Sequence, residues 1–133
     1  MTALIDDLAR IVVDAAFHIH AEIGPGLLES AYEAMLSYVL HLEGLSVERQ
    51  KMIPICFRGH TIDNGFRADL LIEGQLLVEL KSVETLLPVH GKQVLTYLKL
   101  MNLPLGLLIN FNVPMFRNGV RRIVNGHQEQ RSC

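Results

Sequence analysis

The segment FRADLLIEGQLLVELKS, residues 66–82, constrains the fold most, because its pattern predicts two short strands joined by a turn at Glu73-Gly74. Leu, Val, Ile, Ala and Phe make up most of both strands. Asp69, Glu79 and Lys81 nevertheless stand where the alternation predicts partial burial. Buried charge is costly unless it is paired, and a bound metal ion would offset that cost.

The length of the turn decides whether the two acids meet. A two-residue turn sends the carboxylates to opposite faces of the hairpin. A three-residue loop, residues 73–75, with Gly74 at positive φ in a bulge, sets Asp69 opposite Glu79. We expect the three-residue loop, which brings the two Cβ atoms to about 5 Å.

Two carboxylates at that separation can hold Mg²⁺ together with the carbonyl of Leu80 and several waters. Such an ion activates a water and neutralises charge on a phosphoryl oxygen. Lys81, on the same face, would position that water or stabilise the phosphorus centre. A surface salt bridge between Lys81 and Asp69 or Glu79 explains the same spacing, and the spacing alone leaves both interpretations open.

Length and composition predict one domain. The chain has 133 residues, of which half are hydrophobic, so it can bury a core without disulfides or a structural metal. We expect the domain at residues 1–126 and a disordered tail at residues 127–133.

The cysteines and the N-terminal residues bear on location. Cys56, a predicted core residue, and Cys133 form no disulfide framework and no metal-ligand spacing, which favours a cytoplasmic protein. Asp6 and Asp7 stand where a signal peptide carries positive charge, and no apolar run approaches the roughly 20 residues that span a bilayer. We therefore expect neither secretion nor a membrane partner.

The charge is distributed unevenly along the chain. Residues 1–80 contain five Lys/Arg and twelve Asp/Glu, a net of −7, whereas residues 81–133 contain seven and two, a net of +5. The second part could face the phosphates of a nucleic acid, or these side chains could simply be solvated. The candidate phosphate contacts are Lys92, Lys99, Arg121 and Arg122.

The hydrophobic period separates helices from strands. Apolar residues recur at intervals of three and four residues from residue 4 to about 22 and from about 28 to 43, which predicts two amphipathic helices. The second helix is expected to bury Leu28, Ala31, Met35, Val39 and Leu42. Arg58-Gly59 and Asn64-Gly65 are expected to interrupt the strands that follow. The predicted later elements are strands at 47–57 and 66–81, a helix at 88–101, and strands at 105–109 and 119–124.

Five blocks in order resemble the GxxExxY family, which belongs to the PD-(D/E)XK nuclease-like superfamily. They are His20 with GPGLLESAY, then RADLLI, VELKSVE, PVHGKQVLTYLKL and GLLINFNVP, and they span about residues 5–125. The resemblance implies an α/β fold with a restriction-endonuclease-like core: a central mixed sheet with an antiparallel hairpin, flanked by helices. It also implies Mg²⁺ or Mn²⁺ at the triplet Asp69, Glu79 and Lys81, although Ala68 replaces the usual proline.

The resemblance implies roles for four helical residues. Glu29 would complete the metal shell, and Gln93 would orient the attacking water or a phosphate. Tyr32 and Tyr97 would support the site. Physical alternatives are a favourable helix-dipole interaction for Glu29, an exposed surface position for Gln93, and core packing for the two tyrosines.

The positions of the histidines indicate structural roles and not a zinc site. His18 and His20 lie two apart on a helix, hence on different sides, and no Cys or His pair has zinc-site spacing. His20 is expected to support the GPG turn.

The sequence therefore predicts a divalent-metal nuclease that hydrolyses phosphodiester bonds in DNA or RNA. The alternative is a noncatalytic module that binds nucleic acid or protein and retains the nuclease fold. A homodimer is compatible with either function.

Overall fold

Helices give way to a sheet near residue 45, where the hydrophobic period changes. The computed structural model describes residues 2–126, so the predicted tail at 127–133 lies outside the described residues. None of the helices in this part of the chain is long and apolar enough to cross a lipid bilayer. The elements are α1 (Thr2–Ile23), α2 (Glu29–Leu42), β1 (Val47–Phe57), β2 (His60–Ile72), β3 (Leu76–Lys81), α3 (Pro88–Met101), β4 (Leu105–Asn110), a 3₁₀ turn (Phe116–Gly119) and β5 (Val120–Val124).

The strands form one mixed sheet in the order β1-β2-β3-β4-β5. β1, β2 and β3 run as an antiparallel meander, and β5 pairs antiparallel with β4. β3 and β4 are parallel, because α3 carries the chain back across the sheet between them. This architecture confirms the predicted mixed sheet with an antiparallel hairpin and flanking helices.

Helices cover both faces of the sheet. α1 and α2 pack over Leu70, Val78 and Leu107, whereas α3 packs over Leu77 and Leu108 through its own apolar side chains. Fully burying each such side chain stabilises the fold by about 1.5–3 kcal/mol. β3 and β4, which are buried on both faces, therefore form the rigid centre on which the acidic hairpin rests.

The buried side of α2 agrees with the prediction only in part, because Met35 and Val39 are half-buried against the core. Leu28 and Leu42 are exposed, and the buried apolar residues are Tyr32, Leu36 and Leu40. The ring of Tyr32 stacks on Phe111 with centroids 4.3 Å apart, so this contact sets the rotation of the helix. The predicted set contained residues adjacent to Tyr32, Leu36 and Leu40, because the apolar spacing within the helix does not show where Phe111 lies.

The β1–β2 hairpin is longer and more regular than predicted. It turns at Arg58-Gly59 as expected, but Asn64-Gly65 lies inside β2 and does not interrupt it. A Cβ at Gly65 would lie 2.3 Å from the Ile55 side chain, so glycine here permits a close approach of the two strands.

Two smaller expectations concern β1. The register shifts between Ile53 and Ile55, so Pro54 lies at a bulge on an edge strand, where a proline within a strand is expected. Cys56 is exposed on the same strand, and its predicted place in the core is wrong.

Candidate active site

The loop between β2 and β3 sets the register of the acidic residues. Leu70 pairs with Val78 and Ile72 with Leu76, which leaves residues 73–75 as the loop and places Asp69 opposite Glu79. Gly74 has a φ of +64°, and the amide of Gln75 donates to the Ile72 carbonyl at 2.9 Å. The predicted three-residue loop is therefore confirmed.

The two carboxylates lie where the β2–β3 ladder ends. The amide of Asp69 donates to Glu79 Oε2 at 2.7 Å, and the amide of Leu80 donates to Asp69 Oδ2 at 2.9 Å. Each carboxylate thus accepts a hydrogen bond from the backbone of the opposite strand. Within residues 2–126 no ion pair joins Lys81 to either acid, so the salt-bridge interpretation gains no support.

Glu79 is the most perturbed titratable group of the site. Burial, followed by the negative charge of Asp69, raises the pKa of Glu79 from 4.5 to about 8. The charge of Glu33 adds to this rise, while the Asp69 amide and the Lys81 ammonium oppose it. In the absence of a cation, burial and the neighbouring carboxylate therefore disfavour the ionised form of Glu79.

Asp69 also marks a change of face along β2. Phe66 and Ala68 pack on the α3 side, whereas Leu70 and Ile72 pack on the side of α1 and α2, although strict alternation along a strand would place all four on one face. The register places Gln50 of β1 opposite Asp69, and Gln50 has a φ of +49°. The alternation rule fails here because both paired strands are irregular at this position.

Glu33 is a functional candidate that the sequence analysis missed. It is 6% exposed, and its Oε1 accepts from Gln50 Nε2 at 2.5 Å, while Oε2 accepts from Arg49 Nε at 3.2 Å. Gln50 Nε2 also donates to Asp69 Oδ1 at 3.2 Å. The amide of Gln50 therefore connects α2 to the acidic pair.

Glu29, the acid implied by the resemblance, is placed differently. It is the first residue of α2 and is exposed, and no hydrogen bond or ion pair in residues 2–126 joins it to Asp69 or Glu79. Glu33 lies one turn further along the same side of the helix. That spacing, together with the adjacent core residue Tyr32, was the available signal for Glu33.

The Leu80 carbonyl faces the acidic pair. Backbone groups of successive residues in a strand point to opposite neighbours. The carbonyl of Lys81 accepts from the Phe111 amide at 3.0 Å on the β4 side, so the Leu80 carbonyl is directed toward β2. It therefore points to the same side of β3 as the Leu80 amide, which binds Asp69.

α3 places Tyr97 near the acids. Its ring stacks on Phe66 with centroids 3.9 Å apart. Burial, with the charges of Glu79 and Asp69, raises the pKa of Tyr97 above 10.0. Gln93 lies one turn earlier on α3 and is exposed, and no side-chain hydrogen bond in residues 2–126 links it to the acids.

The chain that follows Lys81 is fixed by two clamps. Asn110, 1% exposed, donates to the Val83 carbonyl at 2.9 Å and accepts from the Val83 amide at 3.0 Å. Ser82 Oγ donates to the Leu27 carbonyl at 2.6 Å. Asn110, for which sequence reasoning gave no role, therefore holds the chain at the end of β3.

Tyr32 holds the loop after α1, whereas the His20 side chain contacts the segment between β4 and the 3₁₀ turn and not, as predicted, the GPG turn. The hydroxyl of Tyr32 donates to the Gly24 carbonyl at 2.6 Å and accepts from the Leu27 amide at 3.2 Å. His20 Nε2 lies 2.6 Å from the Val113 carbonyl. Both residues support the scaffold beside the site, and neither hydrogen-bonds to the acidic pair.

A family model of the PD-(D/E)XK nuclease superfamily matches residues 6–123, a range that includes all the site residues described above. The chain belongs to this superfamily. No curated protein and no solved structure gives a significant match. Membership in the PD-(D/E)XK superfamily indicates nuclease-type chemistry, a nucleic-acid substrate and, typically, a divalent metal.

The donor groups of this PD-(D/E)XK domain suit a hard cation. In residues 2–126 no three or more His, Cys, Asp or Glu side chains form a metal-holding group by themselves. Mg²⁺ does not require such a cage, because it commonly takes one or two carboxylates and keeps several waters. Asp69, Glu79 and the Leu80 carbonyl form an all-oxygen set that fits it, and a cation would favour the ionised form of Glu79, whose pKa is raised by burial and by the charge of Asp69.

Two of the four predicted phosphate contacts of this PD-(D/E)XK domain are bonded to other groups. Arg122 pairs with Asp6, and Arg121 donates to the Asn118 and Val120 carbonyls at 2.9 and 3.0 Å. β5, which carries both arginines, is separated from β3 by β4. Lys92 and Lys99 are exposed on α3 and stay predicted phosphate contacts.

Proposed function

We propose that this PD-(D/E)XK protein hydrolyses phosphodiester bonds in DNA or RNA with Mg²⁺ or Mn²⁺ held by Asp69, Glu79 and the Leu80 carbonyl. One observation supports this most strongly. Two carboxylates are tied across the end of the β2–β3 ladder, and burial, followed by the charge of Asp69, raises the pKa of Glu79 to about 8. Such a pair is unfavourable without a cation and is suited to bind one.

The residues divide the chemistry between them. A bound divalent cation lowers the pKa of a coordinated water and neutralises charge on a phosphoryl oxygen. Lys81 lies on the α3 side of β3, as Glu79 does, and its ammonium orients the water or stabilises charge on the phosphate. Gln93 contacts the substrate phosphate from the exposed side of α3.

We also assign the chain to the GxxExxY family. Gly26 has a φ of +110°, which favours glycine, and Tyr32 clamps the loop that Gly26 belongs to. The backbone of Gly26 and the hydrogen bonds of Tyr32 thus give physical reasons for two of the three motif residues, the third being Glu29. Glu29 as a metal ligand stays a prediction from the resemblance, and Glu33 is the better-connected acid.

The test is cleavage of labelled single- and double-stranded DNA and RNA with Mg²⁺, Mn²⁺ or a chelator. We expect metal-dependent cutting that falls by about 100-fold or more in Asp69→Asn and in Lys81→Ala. Asp63→Asn removes an exposed acid from the same strand and should cut normally. Cutting by Asp69→Asn and Lys81→Ala at wild-type rates would indicate a contaminating nuclease.

Calorimetric measurement of Mn²⁺ binding distinguishes the nuclease from the noncatalytic alternative. The modest net charge of −2 favours that alternative. If Mn²⁺ binds the wild type, fails to bind Asp69→Asn, and no nucleic acid is cut, the site holds its ion but the protein is not a nuclease for those substrates. If Mn²⁺ does not bind the wild type, the metal-dependent mechanism is wrong.

A further inference from the structure

We propose that Gln50 is a positioning residue that holds Asp69 in the orientation needed for cation binding. This inference rests on the proposed nuclease function. Gln50 lies in the edge strand β1, opposite Asp69 in the register, and none of the motifs in the sequence includes it.

The backbone of Gln50 is unusual for its place in the fold. In residues 2–126, four residues other than glycine have positive φ. Arg58 lies in the β1–β2 turn, Glu73 in the β2–β3 loop and Asn102 at the C-cap of α3, all common places for this conformation. Gln50 alone among the four lies inside a strand. Strained backbone of this kind persists where surrounding contacts impose it, and it concentrates at functional sites.

The side chain of Gln50 joins two carboxylates. Its Nε2 donates to Glu33 Oε1 at 2.5 Å and to Asp69 Oδ1 at 3.2 Å. Both partners accept, so the amide nitrogen and not the amide oxygen must face them. A neutral donor between two acids satisfies both without cancelling the negative charge that attracts a cation.

Both oxygens of Asp69 are thereby fixed. Oδ1 accepts from Gln50, and Oδ2 accepts from the Leu80 amide at 2.9 Å. Each carboxylate oxygen keeps a further lone pair for a cation. Loss of the Gln50 amide leaves only the Leu80 contact, and the carboxylate can then rotate about its terminal bond.

A purely structural explanation is that the left-handed backbone serves the change of face in β1 and β2. Glycine distinguishes the two explanations. It adopts the same φ without strain but has no amide side chain. Gln50→Gly therefore keeps the backbone conformation and removes the contact with Asp69.

The experiment measures cleavage, Mn²⁺ affinity and Tm for Gln50→Gly and Gln50→Asn. Asn tolerates a left-handed backbone but is one methylene too short to reach both acids. We expect kcat to fall by about 10- to 100-fold, and Mn²⁺ binding to weaken by a similar factor, with KM for nucleic acid unchanged. The Tm of Gln50→Gly should stay within about 3 °C of the wild type, because relief of strain offsets the lost hydrogen bonds.

The matched control is Asn102→Gly, which relieves the same backbone conformation at the end of α3. It should change neither cleavage nor Mn²⁺ affinity. Wild-type kcat and Mn²⁺ affinity in Gln50→Gly would overturn the inference and leave the proposed function standing. If Gln50→Gly does not fold, the same readouts in Gln50→Asn decide. A wild type that neither binds Mn²⁺ nor cuts would overturn both proposals.

Discussion

Glu79 links the charge of the site to the stability of the fold. The pKa of this carboxyl rises from 4.5 to about 8 in the metal-free protein, so folding favours its protonated form. The stabilisation is fully present below about pH 4.5 and is lost as the pH rises through about 8. Chelator-treated protein should therefore lose stability across the neutral range.

We expect Glu79→Gln to remove this pH dependence. Between about pH 6 and about pH 8 the metal-free wild type should lose roughly 2 to 3 kcal/mol that Glu79→Gln retains, because glutamine does not ionise. Urea unfolding in EDTA at several pH values measures the difference. Parallel pH profiles for the two proteins would show that Glu79 does not titrate in this range.

Substitutions of Glu33 and Glu29, which lie one turn apart on α2, should reduce cleavage by different amounts. Glu33→Gln should lower cleavage by about 10- to 100-fold, because it disturbs the amide that orients Asp69. Glu29→Gln should have a smaller effect, since Glu29 is exposed at the helix start. Cleavage rates of the two variants, measured at the same Mg²⁺ concentration, test this order. A larger loss of activity in Glu29→Gln would favour the metal-ligand role implied by the family resemblance.

At the scale of the elements, the β1–β2 hairpin depends on a close approach at Gly65. Gly65→Ala should destabilise the protein by about 1–3 kcal/mol, because the new Cβ would overlap the Ile55 side chain and the Ile53 carbonyl. Gly91→Ala is the control. Its Cβ meets only Ile123 at 3.6 Å, so alanine in α3 should stabilise by about 0.5–1 kcal/mol. Chemical denaturation measures both, and equal shifts in the same direction would contradict the packing argument.

The clamp between β3 and β4 should also be measurable. Asn110→Ala leaves the amide and carbonyl of Val83 without their partner, at a cost of about 1–3 kcal/mol. Cleavage should fall as well, since the chain after Lys81 loosens. Asn112→Ala, two residues further on, provides a control, and equal stability of the two variants would show that the clamp contributes little.

Sequence reasoning succeeded for elements whose determinants are local. Pro88 begins α3 as predicted, and the Gly74 loop gives the β2–β3 register. The rotation of α2 depends on the contact of Tyr32 with Phe111, far away in the chain, so the local pattern misplaced it and hid Glu33. The left-handed Gln50 has no local signal either, because glutamine gives no hint of positive φ.

For the whole molecule, a cation should stabilise the folded state by mass action. At Mn²⁺ concentrations about 100-fold above Kd, the gain is about 2.7 kcal/mol. We expect a higher Tm on adding Mn²⁺ above about pH 8, reversal by EDTA, and no effect in Asp69→Asn. A Tm that rises equally in Asp69→Asn would place the ion elsewhere on the protein.

The two irregularities of β1 have a consequence for crowded solutions. β1 is an outer strand of the sheet, and Gln50 and Pro54 interrupt its regular backbone four residues apart. An incoming polypeptide would find no continuous ladder of donors and acceptors on which to add itself. The irregular backbone at Gln50, beside Asp69, thus also opposes aggregation through the edge strand β1.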